Sequence, residues 1–432
     1  MPPRYRLHRR YGQDWTRGDC HDSNGGILAR VGLSDDWTIR AGAFRSGSVR
    51  HRAFGDILRA VQPDGSGQHV IFGLPRQSFA STSGEVRAAK VITEGQRRHT
   101  VDFALRARDV QRAFGGADVH DFGTGFVGVT TVLPEPILNF GPLTDDHTRQ
   151  HTAGISYGGL WAGVGEIALG LQKTFYRRTI AEPAMAVATS RAKPLLYSAT
   201  GNVFVSKALA FYAGLTRGLE ESGVAPPSSA NRGEAMPASL TKQFDAGFRF
   251  ALTPRLRLVA GVFQVDKPYF NLNADNVFGP LGTVRHRGIE MSLTGRVLDG
   301  LTIVGGVVLL QPRLSSDAVD RGLVGPIPVG PKPRNALLSL QYLPPAWKGF
   351  GVDGQITNSA SQMAHADNRL KIPHATVLNL GARYNFKVAD VPAALRAQVL
   401  NVADAFGWNV GPTGTIFAKS PRRFFVTLTA DF

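Results

Sequence analysis

The stretch that decides the fold is 242–252, KQFDAGFRFAL. Every second residue from Phe244 to Leu252 is apolar, and the residues between them are mostly polar, charged or small. A turn signal, Thr253-Pro254, follows, and the apolar alternation resumes after it. Because successive side chains of a strand point to opposite faces, a period of two predicts strands with one apolar face.

The same alternation recurs along most of the chain, and stripes of helical period longer than about three turns are missing. We predict seventeen strands that join as neighbours in an antiparallel meander, the simplest topology for consecutive strands. The predicted strands are 26–33, 37–47, 82–92, 98–110, 149–160, 164–178, 193–204, 206–218, 242–252, 255–270, 283–297, 300–312, 333–343, 350–359, 375–387, 392–402 and 421–432.

The connections between these strands alternate between short turns and long loops. Short turns at one end and long loops at the other are typical of outer-membrane barrels. A soluble sandwich or propeller is the alternative explanation of the alternation. The predicted long connections are 48–81, 111–148, 179–192, 219–241, 313–332, 360–374 and 403–420.

The carboxy-terminal strand, PRRFFVTLTADF over 421–432, strengthens the barrel interpretation. A last strand that ends on an aromatic residue resembles the signal by which outer-membrane barrels are recognised for insertion. An ordinary last strand that ends in Phe is the alternative. The residues of the predicted signal share one face and are Phe424, Val426, Leu428, Ala430 and Phe432.

Composition excludes several classes of protein. The 432 residues are 43% hydrophobic, so the chain is not a disordered one, and a single cysteine excludes a disulfide framework or a cysteine-rich zinc site. No run of about eighteen apolar residues is present, and the start lacks an apolar core, so we expect neither a transmembrane helix nor a secretory signal.

Several motifs, taken in their order, resemble the barrel of TonB-dependent receptors of the ferric-siderophore type. The stretch 212–245 contains TRGLEESGVAP and then NRGE, and 282–300 contains RGIE at 287–290. Near the end, 395–404 reads LRAQVLNVAD, with the Asn-x-x-Asp typical of the family. An earlier stretch, SGEVR at 83–87, also fits.

This resemblance implies an all-β, antiparallel transmembrane barrel of the 22-stranded type, incomplete here with about seventeen strands. Complete relatives also carry a signal peptide, a TonB box and a plug domain. We therefore expect 1–24 to be a truncated loop or disordered start and 25–432 to be a partial outer-membrane barrel. Active transport by the 432-residue chain alone is not expected, because the resemblance assigns that step to the plug.

The implied function is uptake of ferric siderophores. The alternatives are a non-functional gene remnant or a passive porin-like channel, since an unplugged barrel leaves an open lumen. A soluble β-rich binding protein or enzyme is a third interpretation. That protein would need a second layer over its apolar face, and the sequence offers no helices for one.

Chemical motifs point away from an enzyme. No nucleophile elbow, zinc-protease motif or phosphate-binding loop is present, so neither catalysis nor a cofactor is expected. Two short clusters of metal-ligating residue types, 20–22 (CHD) and 145–147 (DDH), are interpreted as polar loop segments, and no metal site is predicted.

Candidate ligand contacts follow from the expected direction of the strands. If the carboxy-terminus is periplasmic, 206–218, 255–270 and 392–402 run outward, and their later residues lie near the extracellular rim. Loop packing or wall filling is the alternative role for each candidate. The candidates are Tyr212 (lumen-side by alternation), Arg232, Tyr269, His286 and Trp408.

The net charge of +16 suggests anionic partners. Arginine is scattered through loops and polar strand faces rather than arranged in a stripe, so nucleic acid is not expected. The resemblance implies an anionic ferric chelate as ligand, with lipopolysaccharide and other outer-membrane lipid, the TonB complex and the barrel assembly machinery as partners. It also implies a monomer in the cell outer membrane.

Overall fold

The structure, a computed structural model, describes residues 1–225, 229–273, 275–411 and 415–431. Strands dominate this part of the chain, because the period-two alternation extends through most of it. Among the described residues, no helix has the length and apolar character needed to cross a membrane. The helical elements found there are one turn, α1 (Asp317–Asp320), and a 3-10 turn at Pro345–Trp347.

The described residues form twenty-four strands. In chain order they are β1 Asp19–Gly32, β2 Trp37–Arg59, β3 Ser66–Leu74, β4 Gln77–Glu94, β5 Arg97–Phe114, β6 Asp118–Phe126, β7 Thr144–Trp161, β8 Gly165–Ala181, β9 Ala188–Ala192, β10 Leu195–Phe204, β11 Leu209–Glu220, β12 Ser239–Thr253, β13 Leu256–Leu272, β14 Phe278–Leu298, β15 Leu301–Ser316, β16 Arg334–Tyr342, β17 Phe350–Ser359, β18 Gln362–Met363, β19 Lys371–Ile372, β20 Ala375–Val388, β21 Val391–Leu400, β22 Trp408–Val410, β23 Ile416–Ala418 and β24 Arg423–Ala430.

Seventeen of these strands form one long antiparallel meander, in which each strand pairs with the next strand of the series. This confirms the predicted all-β fold and the seventeen-strand antiparallel meander, while the described residues contain seven further strands that were not predicted. The series is β1, β2, β4, β5, β7, β8, β10 to β17, β20, β21 and β24.

The register places apolar side chains together on one face of the sheet. Phe244 lies opposite Leu215, and Ile289 lies opposite both Val262 and Leu309. Phe244 is 51% exposed and Ile289 53% exposed. We call this surface the apolar face, and the opposite side of the sheet the polar face.

The polar face is buried where loops cover it. Thr152 and Thr174 are buried there and share a hydrogen bond of 3.0 Å between their hydroxyl groups. Arg178, further along β8, is also buried and donates a hydrogen bond to the carbonyl oxygen of Ser222. Parts of the long connections therefore fold over this face.

Within the described residues, five of the predicted long loops contain strands: 48–81 contains β3, 111–148 contains β6, 179–192 contains β9, 360–374 contains β18 and β19, and 403–420 contains β22 and β23. β2 continues to Arg59 and pairs with β3, β3 pairs with β6, and β9 pairs with β8. Alternation missed β3 because Val70, Ile71 and Phe72 are consecutive apolar residues. Val70 and Ile71 are 1% and 0% exposed, so both sides of this strand pack against protein.

The first eighteen residues pack against two loops. The Tyr5 ring lies 5.8 Å from that of Trp408, and the Gln13 amide donates to the carbonyl oxygen of Thr131 at 2.8 Å. Trp15 donates to the carbonyl oxygen of Leu133 at 2.9 Å. β1 then begins at Asp19, earlier than the predicted 26, whereas the division into 1–24 and 25–432 stays a prediction.

The sheet is open in the described part of the chain. There, β1 pairs with β2 alone and β24 pairs with β21 alone. The predicted insertion-signal residues Phe424, Val426 and Leu428 lie on one face of β24 and are 74%, 74% and 67% exposed. Ala430 continues this face, and Phe432 lies outside the described residues.

Candidate functional site

The two ends of the sheet differ in how its strands are connected. At one end the strands join by short turns, such as 299–300 between β14 and β15. At the other end lie longer connections, such as 221–238 between β11 and β12 and 401–422 between β21 and β24. Charged side chains gather on the polar face at this long-loop end, so a ligand site is sought there.

A buried carboxylate organises the long-loop end. The side chain of Asp146, at the start of β7, is 1% exposed. Arg178 donates to both of its oxygens at 2.9 Å, and Arg112 of β5 donates to one of them at 3.1 Å. A planar guanidinium matches both oxygens of a carboxylate at once, so the geometry of this pair is well defined.

Burial opposes ionisation of Asp146, but the hydrogen bonds and charge of Arg178, together with those of Arg112, outweigh it. The pKa of this carboxyl therefore lies below its usual value. Asp146 lies beyond the exposed apolar positions of β7, such as Ile155. The group therefore stays ionised and links three strands, β5, β7 and β8, at this end of the sheet.

The connection 221–238 is attached to the same arginines. Glu221 accepts hydrogen bonds from Arg108 and Arg112, each at 3.0 Å, and Arg178 donates to the Ser222 carbonyl oxygen. β10, β8 and β7 separate β11 from β5 in the sheet. The start of this connection must therefore cross the polar face to reach β5. We call the five charged residues the mouth network: Arg108, Arg112, Asp146, Arg178 and Glu221.

Arg232, a predicted ligand contact, lies further along this connection. Its guanidinium pairs with the Glu182 carboxylate at 2.8 Å, and its side chain is 46% exposed. The neighbouring Asn231 bonds to both the carbonyl oxygen and the amide of Phe278, each at 2.8 Å. The connection is thus anchored at its start and again at 231–232, and Arg232 keeps an accessible face.

Tyr269 and His286, two further predicted contacts, lie on the polar face of the pair β13–β14. Tyr269 accepts a hydrogen bond from the amide of Asn271 at 2.6 Å. His286 lies opposite Val265, four positions before Tyr269, so the two side chains are about 13 Å apart along the strands.

Tyr212 faces the polar side, as predicted, but it is not near the long-loop end. It is the fourth residue of β11, which starts at the short-turn end. Its hydroxyl lies where a Cβ on Gly247 or Gly261 would meet it, 2.7 and 2.5 Å away, and Arg249 lies over its ring at 5.2 Å. The prediction used the outward direction of the strand without counting how far along it the residue lies.

Trp408 is a packing residue of the last loops. It is 9% exposed and belongs to a cluster with Ala364 and Ile372. The ring of Phe406 packs edge-on against it at 5.1 Å, and that of Tyr5 lies 5.8 Å away. Of the two roles considered for this residue, loop packing is the one that its burial favours.

The mouth network was missed by sequence reasoning. The predicted strand ended at 110, which left Arg112 in a loop, and 145–147 was interpreted as one polar segment. The strand β7 instead separates these three residues, with Asp146 on the polar face and its neighbours on the other. His147 pairs there with Asp109 at 2.8 Å, while Asp145 is exposed. Residues 144–148 read TDDHT, so no alternation of apolar and polar residues marked this extension of the strand.

Neither short cluster considered as a metal site brings all three of its side chains together, although the Cys20 thiol donates a hydrogen bond to the Asp22 carboxylate at 3.5 Å. Residues 20–22 form part of β1, where Cys20 and Asp22 share one face and His21 lies on the other. Among the described residues, no group of three or more potential metal-ligating side chains is found.

Comparison with known proteins places this fold in a family. The family description "TonB dependent receptor-like, beta-barrel" matches residues 2–402. The ferrichrome receptor FcuA of Yersinia enterocolitica is 23% identical over an alignment of 451 residues that covers 100% of this chain and 58% of that receptor. The chain therefore spans less than two thirds of the curated relative it matches.

Two solved structures show the same fold. The ferric preacinetobactin receptor of Acinetobacter baumannii superposes with a TM-score of 0.83 at 20% identity, covering 96% of this chain and 63% of that one. The ferric-catecholate import receptor Fiu of E. coli superposes with a TM-score of 0.80 at 14% identity, covering 98% of this chain and 65% of that one. With an open seventeen-strand meander, one apolar face and a family match over nearly its whole length, the chain belongs to the TonB-dependent receptor β-barrel family.

Proposed function

We propose that this chain forms barrel strands of an outer-membrane receptor that binds a ferric siderophore and, with the TonB complex, takes it up. One observation carries the proposal. In a sheet of the receptor-barrel family, the connection 221–238 covers the arginine-rich polar face at its long-loop end and is bonded to the arginines there. The relatives named above are receptors for ferrichrome, ferric preacinetobactin and ferric catecholates, and the class is a receptor rather than an enzyme.

The ligand contacts are proposed at the long-loop end. Arg232, Tyr269 and His286 lie there with a partly exposed cation, a phenol and an imidazole. Guanidinium and phenol groups suit the anionic, oxygen-rich surface of a ferric chelate, and arginine bonds such oxygens in pairs. For Tyr212 and Trp408, the surroundings support packing roles instead.

The apolar face is proposed to contact the lipid of the outer membrane. Exposed side chains such as Phe244, Ile289 and Phe424 would be costly in water as a continuous surface and are stable against acyl chains. β24 would then be the strand that the barrel assembly machinery recognises. Lipopolysaccharide phosphates are the proposed neighbours of the basic residues above the apolar belt.

Ligand binding by the purified chain tests the proposal. Ferrichrome and a ferric tris-catecholate, each beside its iron-free form, would be titrated into the chain in detergent while tryptophan fluorescence is followed. We expect binding of a ferric chelate, and about tenfold weaker binding by Arg232→Gln, because a charge-assisted hydrogen bond is lost. The control is Arg255→Gln, whose guanidinium pairs with Asp299 at a short turn. No binding of either ferric chelate, or equal binding of their iron-free forms, would contradict the proposal.

A passive channel or an inactive remnant is the second candidate, and the open sheet favours considering it. β1 and β24 each leave one edge without a neighbour in the described residues, and unpaired backbone groups are costly in lipid. Planar-bilayer recording separates the candidates. Steady ion conductance without ligand binding would favour the channel, and neither conductance nor binding would favour the remnant.

A further inference from the structure

Three arginines lie side by side on the apolar face, at its long-loop end. Arg149 of β7 is directly opposite Arg177 of β8, and Arg177 is directly opposite Arg191 of β9. All three are exposed. We call them the arginine row.

The arginine row has too few counter-charges. Like charges directly opposite each other in a sheet are destabilising, since such positions are only about 5 Å apart. Asp109 of β5 lies directly opposite Arg149. Its carboxylate is shared by Arg149 at 3.2 Å and His147 at 2.8 Å. In the part of the chain that the structure describes, no ion pair joins Arg177 or Arg191 to a carboxylate. An anion from outside this chain would satisfy both.

An apolar depression adjoins the arginine row on the same face. His151 and Phe175 line it, and they are the next residues on this face after Arg149 and Arg177. Its volume is about 660 Å³, and small residues such as Ala107 create the space. The other lining side chains on this face include Ile27, Ala41, Ala43, Val86, Leu105 and Ala153.

Further cations extend the basic surface along the neighbouring strands. Lys173 lies on the same face of β8 as Phe175 and Arg177. On the strands β11 and β12, Arg217 lies opposite Lys242. The outward carboxylates beside them are Asp145, which is exposed at the top of β7, and Asp266, which pairs with an arginine of β14 at 2.7 Å. Positive charge therefore predominates where the apolar belt ends.

We propose that the arginine row and the adjoining depression bind one phosphorylated lipid of the outer leaflet, with its phosphates on Arg177 and Arg191 and an acyl chain in the depression. The proposal rests on the proposed membrane location and adds a specific site to it. Arginine binds phosphate oxygens in pairs, and its aliphatic stem packs on apolar surface while its head reaches the interface. A soluble polyanion would use the cations and leave the depression empty.

Lipid retention by the detergent-purified full chain tests this site. Native mass spectrometry would follow titrations with diphosphoryl lipid A, with its monophosphoryl form and with soluble inositol hexaphosphate. We expect the diphosphoryl lipid to bind most tightly. The double variant Arg177→Gln/Arg191→Gln should bind it about thirtyfold more weakly, because each of the two cations removed contributes to the affinity for an anionic lipid surface. The matched control is Arg97→Gln/Arg255→Gln, at the short-turn end.

A second variant probes the depression without changing charge. Ala153→Phe fills it and should weaken lipid binding while leaving inositol hexaphosphate binding as it was. Unchanged lipid binding in both the arginine and the Ala153 variants would overturn the site, and so would equal binding of the soluble polyanion. Ferric-chelate binding by the same variants should stay at the parent level. If the parent chain binds no ferric chelate, that result would count against the receptor proposal. The lipid titration would still decide whether the lipid site exists.

Discussion

Arg177 and Arg178 are neighbours in the chain, yet their surroundings are opposite. Arg178 points to the polar face, is 8% exposed and is held by both oxygens of Asp146. Arg177 points to the apolar face, is exposed and has an arginine directly opposite on each side. One charge is satisfied within the chain and the other is left for an outside partner. Because successive side chains of a strand point to opposite faces, two adjacent arginines can have different roles: one pairs within the chain, and the other is available to an outside anion.

The strongest way to break this contrast is to remove the shared carboxylate. Asp146→Asn leaves two guanidiniums partly buried without their counter-charge, and such losses cost about 3–5 kcal/mol. We expect the free energy of unfolding in urea to fall by an amount of this order. Asp145→Asn, one residue away on the exposed face, is the control and should change it by less than about 0.5 kcal/mol. Equal effects of the two substitutions would mean that the mouth network does not stabilise the fold.

Acidification should weaken the same network. Because the folded-state pKa of Asp146 is lowered, its contribution is present above the ordinary carboxyl range and is lost as pH falls through the folded-state pKa. We expect the difference in unfolding free energy between parent and Asp146→Asn to be full at pH 7 and to shrink below about pH 4. A difference that stays constant down to pH 3 would contradict this assignment.

Releasing the connection 221–238 should have a smaller and more local effect. Glu221 is 24% exposed, so losing its two charge-assisted hydrogen bonds in Glu221→Gln should cost about 1–2 kcal/mol. We expect faster protease cleavage within 221–238. Glu220→Gln, its exposed neighbour, is the control. Cleavage at the parent rate in Glu221→Gln would show that other contacts hold the connection.

The arginine row should contribute least to stability. In neutral detergent, Arg177→Gln removes a like-charge contact, so the free energy of unfolding should stay constant or rise by a few tenths of a kcal/mol. By contrast, Arg178→Gln, at the adjacent residue, should lower the free energy of unfolding by more than about 1 kcal/mol, because it removes a partner of the buried Asp146 carboxylate. A loss above 1 kcal/mol for Arg177→Gln would mean that this guanidinium has a partner within the chain and would weaken the contrast between the two arginines.

Sequence reasoning predicted the strands well where one face is apolar and the other polar. The seventeen predicted strands correspond to the seventeen strands of the meander, with ends displaced by several residues. It missed seven strands of the described residues, among them β3, where consecutive apolar residues conceal the alternation, and β9, which is only five residues long. For the candidate site, the pattern predicted the polar-side position of Tyr212 but not its distance from the long-loop end.

The sequence by itself determined the strands of the meander, their two faces and the short turns, because each depends on residues within a few positions of one another. It did not determine which charges meet. Arg108 and Glu221 are 113 residues apart and come together only because the connection after β11 folds back across three strands. The arginine row likewise exists only in the register of three strands. Such contacts depend on pairing across the whole sheet, and only the tertiary structure decides them.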